Sequence, residues 1–288
     1  MRIFAKKSNI YLRLKTCTTY FMKYVLPIVI FIFLVCCRSK NVDKQPPTEN
    51  DCLISSYTTD TSSTGYDYQI KYSGAKIVAI RTTHFDSFLG ASIHDSIAIT
   101  YNTDGKPNTI GWPSSGSYTA KFFYDNFGIL TSRITYAAMP FPTSKVSVEW
   151  KNNRISKITN SYYEIKGSPY AIENYTEVQN SVLDLEYDAG GNVTYVKRTS
   201  LPSMLVTEMT YEYDSHPNPF KDLFLLTGFG GYDLMYLLSA NNMTRVKYFF
   251  VKEQYTVSYD SPYQYNVNGY PENGAFNNRK LNVQYLCK

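Results

Sequence analysis

The chain is short of the side chains that usually carry catalysis or hold metals. It has three histidines (His84, His94 and His216) and five cysteines in 288 residues. It contains no GxSxG elbow, no HExxH zinc motif and no phosphate-binding P-loop. An apolar run long enough to span a bilayer as a helix, about 20 residues, is also missing. Val25 to Cys37 runs thirteen residues without a charge and then stops. Clustered basic charge is lacking too. The formal charge is +5, but residues 1–36 hold six basic residues and no acidic one, leaving 23 basic against 24 acidic residues in the remainder. A phosphate-binding surface leaves a local basic excess, so this balance counts against nucleic acid as a partner.

What is present begins with an address. The apolar run follows Lys23, contains Pro27 and gives way to Arg38-Ser39-Lys40, which suits the core of an export signal rather than a membrane span. Leu34-Val35-Cys36-Cys37 resembles a bacterial lipobox, with Cys37 as the acylated residue and Cys36 the alternative. Two or more acyl chains anchor a protein stably to a membrane. Met22-Lys23 starts a compact signal on its own, so Met22 is the expected true start. The organisation that follows is a lipoprotein signal over residues 1–37, a polar Pro46-Pro47 tether over 38–50, and one domain over 51–288. Cys52 and Cys287 stand near the two ends of that domain, in a compartment that permits disulfides. They either bridge or sit as two buried thiols in the first and last strands.

Within the domain, alternating apolar residues end repeatedly on an aromatic, and a turn cluster follows. Ile97/Ile99/Tyr101 precedes Asn102-Thr103-Asp104-Gly105, Val146/Val148/Trp150 precedes Lys151-Asn152-Asn153, and Leu183/Leu185/Tyr187 precedes Asp188-Ala189-Gly190-Gly191-Asn192. Tyr72, Tyr124, Tyr213 and Tyr259 end further copies. Period-two alternation buries one strand face, and Asn, Asp and Gly supply the backbone conformations of a tight reversal. Each copy reads as a β-hairpin. Hairpins that bury one face must stack, so the fold class is all-β and mainly antiparallel, one large twisted sheet or half-barrel. Asn218-Pro219 followed by Phe220, Leu223 and Phe224, and then Leu234, Leu237 and Leu238, predicts two short helices inserted between hairpins to plug the sheet.

Tyr187-Asp188-Ala189-Gly190-Gly191-Asn192 resembles the YD repeat of Rhs-type proteins, and Tyr124-Asp125-Asn126-Phe127-Gly128 is a looser copy. With the lipobox, Tyr213 to Phe220 and Tyr265 to Pro271, the chain is similar to Bacteroidetes lipoproteins of unknown function built from degenerate YD-like hairpins. The resemblance covers most of residues 65–288. It implies a curved antiparallel sheet and no activity.

Candidate chemistry is sparse. His84-Phe85-Asp86 with His94-Asp95 is the densest reactive cluster; His84 and Asp86 share a strand face, and His94 is expected to approach across a hairpin. Such a set is the weak candidate for a metal site or an acid–base centre. Exposed loop residues are the plainer reading, and no cofactor is expected. Asn102–Gly105 and Asp188–Asn192 lack the ligand spacing and closing glutamate of a calcium loop. Most of the 28 tyrosines suit a pleated, half-buried face. Those facing outward, with Tyr162, Tyr163, Tyr263 and Tyr265 as candidates, are positioned to stack on a ligand. The expectation is a monomeric, non-catalytic envelope protein, an outer-membrane lipoprotein facing the periplasm, binding a glycan, peptide or protein partner. A hydrolase centred on His84, Asp86 and His94 and a purely structural component are the alternatives.

Overall fold

A computed structural model describes residues 52–60, 66–86, 91–111, 118–138, 140–167, 171–223, 237–276 and 279–287. The signal, the tether, Cys36 and Cys37 lie outside the described residues. Asn50–Lys288 forms one compact unit. Its strands are β1 (Cys52–Asp60), β2 (Tyr66–Ser73), β3 (Lys76–Asp86), β4 (Ala91–Tyr101), β5 (Pro107–Gly111), β6 (Tyr118–Tyr124), β7 (Leu130–Ala138), β8 (Phe141–Lys151) and β9 (Arg154–Ile165). They continue as β10 (Tyr175–Tyr187), β11 (Val193–Ser200), β12 (Leu205–Pro217), β13 (Asn241–Phe250), β14 (Tyr255–Asp260), β15 (Tyr263–Tyr265), β16 (Pro271–Phe276) and β17 (Arg279–Cys287).

All 17 belong to one antiparallel sheet. From β2 to β14 every strand pairs with its sequence neighbour. β15, β16 and β17 pair in turn, and β1 inserts between β17 and β2. The edges are therefore β14 and β15, which have no ladder between them. Laid flat, they would be roughly 75 Å apart at ~4.8 Å per strand. Only Ser261 and Pro262 connect them in the chain, so the sheet must roll until its edges meet. Pro262 lacks the N–H a ladder needs; Ser261 N–H bonds Thr244 O at 2.7 Å, and Pro262 O accepts from Ala275 N–H at 3.1 Å. The result is an open roll with an unpaired seam.

The predicted hairpins form where a tight turn follows the aromatic. Those ending on Tyr72, Tyr101, Tyr124, Trp150 and Tyr187 close as expected, and a further hairpin, outside the predicted set, closes after Tyr265. Tyr213 and Tyr259 do not end hairpins: β12 continues to Pro217 before the insertion, and β14 runs into the seam. Four turns share one hydrogen-bond plan. Asn102, Asp125, Asp188 and Asn266 each accept on the main chain from the glycine three residues on, at 2.9 to 3.3 Å. Their side chains also cap the turn, as when Asp125 Oδ1 accepts from Phe127 and Ile129 N–H at 2.9 and 2.8 Å.

Each turn aromatic sits at a register shift, with Tyr101 opposite Pro107, Tyr124 opposite Leu130, Tyr187 opposite Val193 and Trp150 opposite Ile155. Bulges re-aim side chains, and here the ring polar group reaches back to the start of the preceding strand. The hydroxyls of Tyr101, Tyr124, Tyr187, Tyr213 and Tyr285 donate to the carbonyls of Ile77, Pro107, Ile155, Val193 and Pro271 at 2.6 to 2.9 Å. Trp150 Nε1 does the same to Leu130 O at 2.7 Å. A cation from the previous turn covers three of these rings: Lys76 on Tyr101, Lys106 on Tyr124 and Arg154 on Tyr187.

The inner face of the roll carries one apolar core, including Ile80, Ile99, Ile158, Leu183, Val196, Met209 and Val246. The insertion joins it. Where two helices are expected, the described residues show 3-10 geometry, at Lys221–Leu223 and at Leu237 and Leu238, and residues 224–236 lie outside them. Asn218 Oδ1 does accept from Phe220 N–H at 3.0 Å, as an N-cap should. Phe220, Leu223 and Leu237 are buried in the core, and Phe220 meets Tyr57 of β1 edge-on at 5.6 Å. Described residues of the insertion thus touch both β1, through Phe220 and Tyr57, and β11, where Val193 N–H donates to Ser239 Oγ at 3.0 Å. No helix among the described residues is long and apolar enough to cross a membrane.

Candidate functional site

A cavity of about 410 Å³ opens between the insertion and the turn ends of β8 to β11. Trp150, Asn153, Arg154 and Ile155 come from the β8–β9 hairpin, Tyr187, Gly190 and Gly191 from the β10–β11 hairpin, and Lys221, Leu237 and Leu238 from the insertion. The first hairpin turns through Asn152 and Asn153, both with positive φ (53° and 60°), the conformation of a two-residue type I′ reversal that asparagine tolerates. That tight turn sets Arg154 at the head of β9. Its Nη1 donates to Asp188 O at 2.8 Å, and its guanidinium lies 5.4 Å from the Tyr187 ring centre.

The lining pairs fixed rings with cationic edges. Trp150 has its N–H bound to Leu130 O and stays 40% exposed, so a ring surface is available. Burial pushes the Tyr187 hydroxyl up to about 12, with Arg154 working in the opposite direction. That hydroxyl is also committed to Ile155 O. Lys221 is exposed and makes no ion pair among the described residues. No carboxylate is among the described residues lining the cavity. The nearby Asp188 carboxylate is taken up by Asn192, accepting its main-chain N–H at 2.8 Å and its amide at 3.0 Å, and these bonds hold its pKa below the usual value.

The residues singled out from sequence lie elsewhere. Position 84 pairs with Ile93 and position 94 with Thr83. Directly opposed residues share a face and neighbours alternate, so His84 and His94 stand on opposite faces of the sheet. The expected approach of His94 to His84 and Asp86 is therefore corrected by the register. His94 is exposed, and its Nδ1 lies 3.0 Å from Thr83 Oγ1. The side chains of His84 and Asp86 are outside the described residues. Among the described residues no group of three or more His, Cys, Asp or Glu is arranged to hold a metal.

Tyr162 is exposed, and its hydroxyl donates to Glu164 at 2.9 Å. Tyr163, its neighbour on β9, pairs with Glu177 and is half-buried. Tyr263 and Tyr265 do not face outward. Tyr263 packs against the core. Tyr265 donates to Asp214 Oδ2 and stacks on His216 at 3.9 Å between ring centres. They close the seam against β12. Cys52 and Cys287 face one another at the β1–β17 terminus and form a disulfide.

Sequence reasoning treated Trp150 and Asn153 as turn residues and passed over Arg154 and Lys221. The cavity draws on three segments up to 88 residues apart, so no local spacing marks it.

No protein-family model matches the chain, and no curated protein matches it. Among solved structures, it is similar to a porin-like protein from Bacteroides uniformis at a TM-score of 0.56 and 11% identity, covering 84% of this chain and 99% of that one. A porin-like protein from Bacteroides vulgatus gives 0.50 at 10% identity, covering 81% and 99%. These likenesses concern the fold, a rolled antiparallel sheet. A TcdB2–TccC3–Cdc42 complex also aligns over 78% of this chain and 14% of its own, at a TM-score of 0.28, too low to bear on the fold.

Proposed function

We propose that the protein is a non-catalytic binding protein of the cell envelope, tethered through lipid on Cys37 and facing the periplasm, that holds a glycan or other small ligand in the Trp150–Arg154–Lys221 cavity. The observation that carries this reading is the cavity lining. A fixed ring face, an amide and two cations offer recognition groups, and 410 Å³ falls within the ~300–1,000 Å³ of ordinary ligand pockets. The described lining offers no histidine, cysteine, serine or carboxylate to act as nucleophile or general base. Its one hydroxyl, on Tyr187, is bonded to the main chain and hard to ionise. This reading puts the site at the turn ends of β8 to β11 rather than on the outer tyrosines of the sheet. The export signal in the sequence supports the envelope address, and the fold it shares with the Bacteroides porin-like proteins is compatible with it.

A thermal-shift panel of glycans and peptides against the purified protein tests the binding reading. At least one ligand should raise Tm, and Leu238→Trp, which fills the cavity, should abolish that shift. A shift that survives Leu238→Trp would move the site elsewhere. Palmitate labelling lost in Cys37→Ser but kept in Cys36→Ser would establish the tether.

A further inference from the structure

We infer that the cavity selects a carboxylate-bearing sugar ring, of the uronic-acid kind. This rests on the cavity being the binding site and adds its charge and shape preference. Two cations, Arg154 and Lys221, reach it from separate segments, and its described lining residues include no carboxylate. Asp188, whose carbonyl binds Arg154, has its carboxylate turned into its own hairpin by Asn192. Lys221 is exposed and has no ion-pair partner among the described residues, so an anion placed there meets an opposite charge. Arginine and lysine both bind carboxylate through charge-assisted bonds, the stronger class of hydrogen bond.

The body of the ligand is set by the remaining walls. The Trp150 ring is anchored at its N–H by Leu130 and 40% exposed, which makes it a rigid platform for the C–H face of a sugar. Asn153 projects from the same turn, and its amide can serve ring hydroxyls as donor and acceptor. A bare inorganic anion would leave this platform uncovered, and a neutral sugar would leave the two cations unanswered.

Calorimetric titration of the purified protein with glucuronate, glucose, hexanoate and inorganic phosphate separates these cases. Glucuronate should bind at least tenfold more tightly than glucose, the order of one charge-assisted hydrogen bond. Lys221→Gln should remove roughly that tenfold, and Lys221→Arg should restore it. Because Arg154 also clamps the turn at Asp188, Lys221 is the deciding position, with circular dichroism confirming that each variant is folded. Equal binding of glucose and glucuronate would overturn the charge preference and leave the cavity a sugar site. Hexanoate or phosphate outcompeting glucuronate would overturn the sugar assignment. If none of the four binds and no ligand of the wider panel depends on Leu238, this inference and the binding reading fall together.

Discussion

The Tyr187 hydroxyl donates to the carbonyl of Ile155 at 2.9 Å, 32 residues back in the chain and at the opening of the neighbouring strand. The same bond recurs from hairpin to hairpin around the roll. It gives that carbonyl a partner beside a register shift, where the ladder is locally disrupted. Tyr187→Phe should therefore cost about 1–2 kcal/mol. Tyr213→Phe should cost more, roughly 2–3 kcal/mol, because its hydroxyl both donates to Val193 O and accepts from Ser239 Oγ. Tyr162→Phe removes only an exposed bond to Glu164 and should stay within about 0.5 kcal/mol. Urea midpoints at unchanged m-value read these differences. A Tyr162→Phe loss as large as that of Tyr213→Phe would refute the structural role given to the recurring bond.

The same tyrosines set an alkaline limit on the fold. Burial raises Tyr124, with nearby Tyr101 adding to it, and raises Tyr187, both to about 12. Burial likewise pushes up Tyr213, Tyr263, Tyr265 and Tyr285. An unfolded chain ionises tyrosine near 10, so the folded state binds these protons more tightly. Their stabilising contribution is complete below pH about 10 and is lost as pH rises towards about 12. Phenolate absorbance from these residues should emerge together with loss of the β-sheet circular dichroism signal. Full ionisation of all tyrosines with the sheet signal intact would contradict it.

Much of this roll is legible in the chain because its rules are local. Period-two alternation marks the inward face, and the aromatic–Asn/Asp–x–x–Gly run marks the turn, so Tyr101, Tyr124 and Tyr187 could be placed at strand ends from sequence. Tyr213 and Tyr259 carry the same prefix without the hydrogen-bonded turn behind it, and pattern alone cannot separate prefix from turn. The parity of His84 and His94 was hidden for a related reason: which residues oppose one another depends on register, and a one-residue difference exchanges faces. The cavity was least legible, since Trp150 and Tyr187 become neighbours only through strand pairing, and Lys221 joins them only from the segment after β12.

Joining β1 to β17 brings Cys52 and Cys287 into register across 235 residues. A crosslink over so long a loop restricts the unfolded chain strongly, by about 5 kcal/mol in the chain-entropy treatment. Paired Cys52→Ser and Cys287→Ser replacement should lower stability by up to that amount while leaving the fold intact, because seven other residue pairs still zip β1 to β17. Amide exchange should quicken first in β1 and β17. Uniform acceleration in every strand would mean that this junction is not where the sheet yields.

Two turn glycines separate backbone conformation from the cation that packs beside the turn. Gly74 has φ +61° and open space where a Cβ would point, so Gly74→Ala meets only the left-handed backbone cost, about 1–2 kcal/mol. Gly128 has a similar φ, +72°, but a Cβ there would run into Lys106 Nζ. That ammonium donates to Gly128 O and lies 5.7 Å from the Tyr124 ring centre. Gly128→Ala should therefore cost more than Gly74→Ala, the excess being the displaced lysine and its hold on the ring. In a Lys106→Ala background the excess should vanish, since the obstacle is gone, and the double-mutant cycle isolates that coupling. An excess that persists without Lys106 would place the strain in the backbone of the turn and remove the cation from the repeating unit.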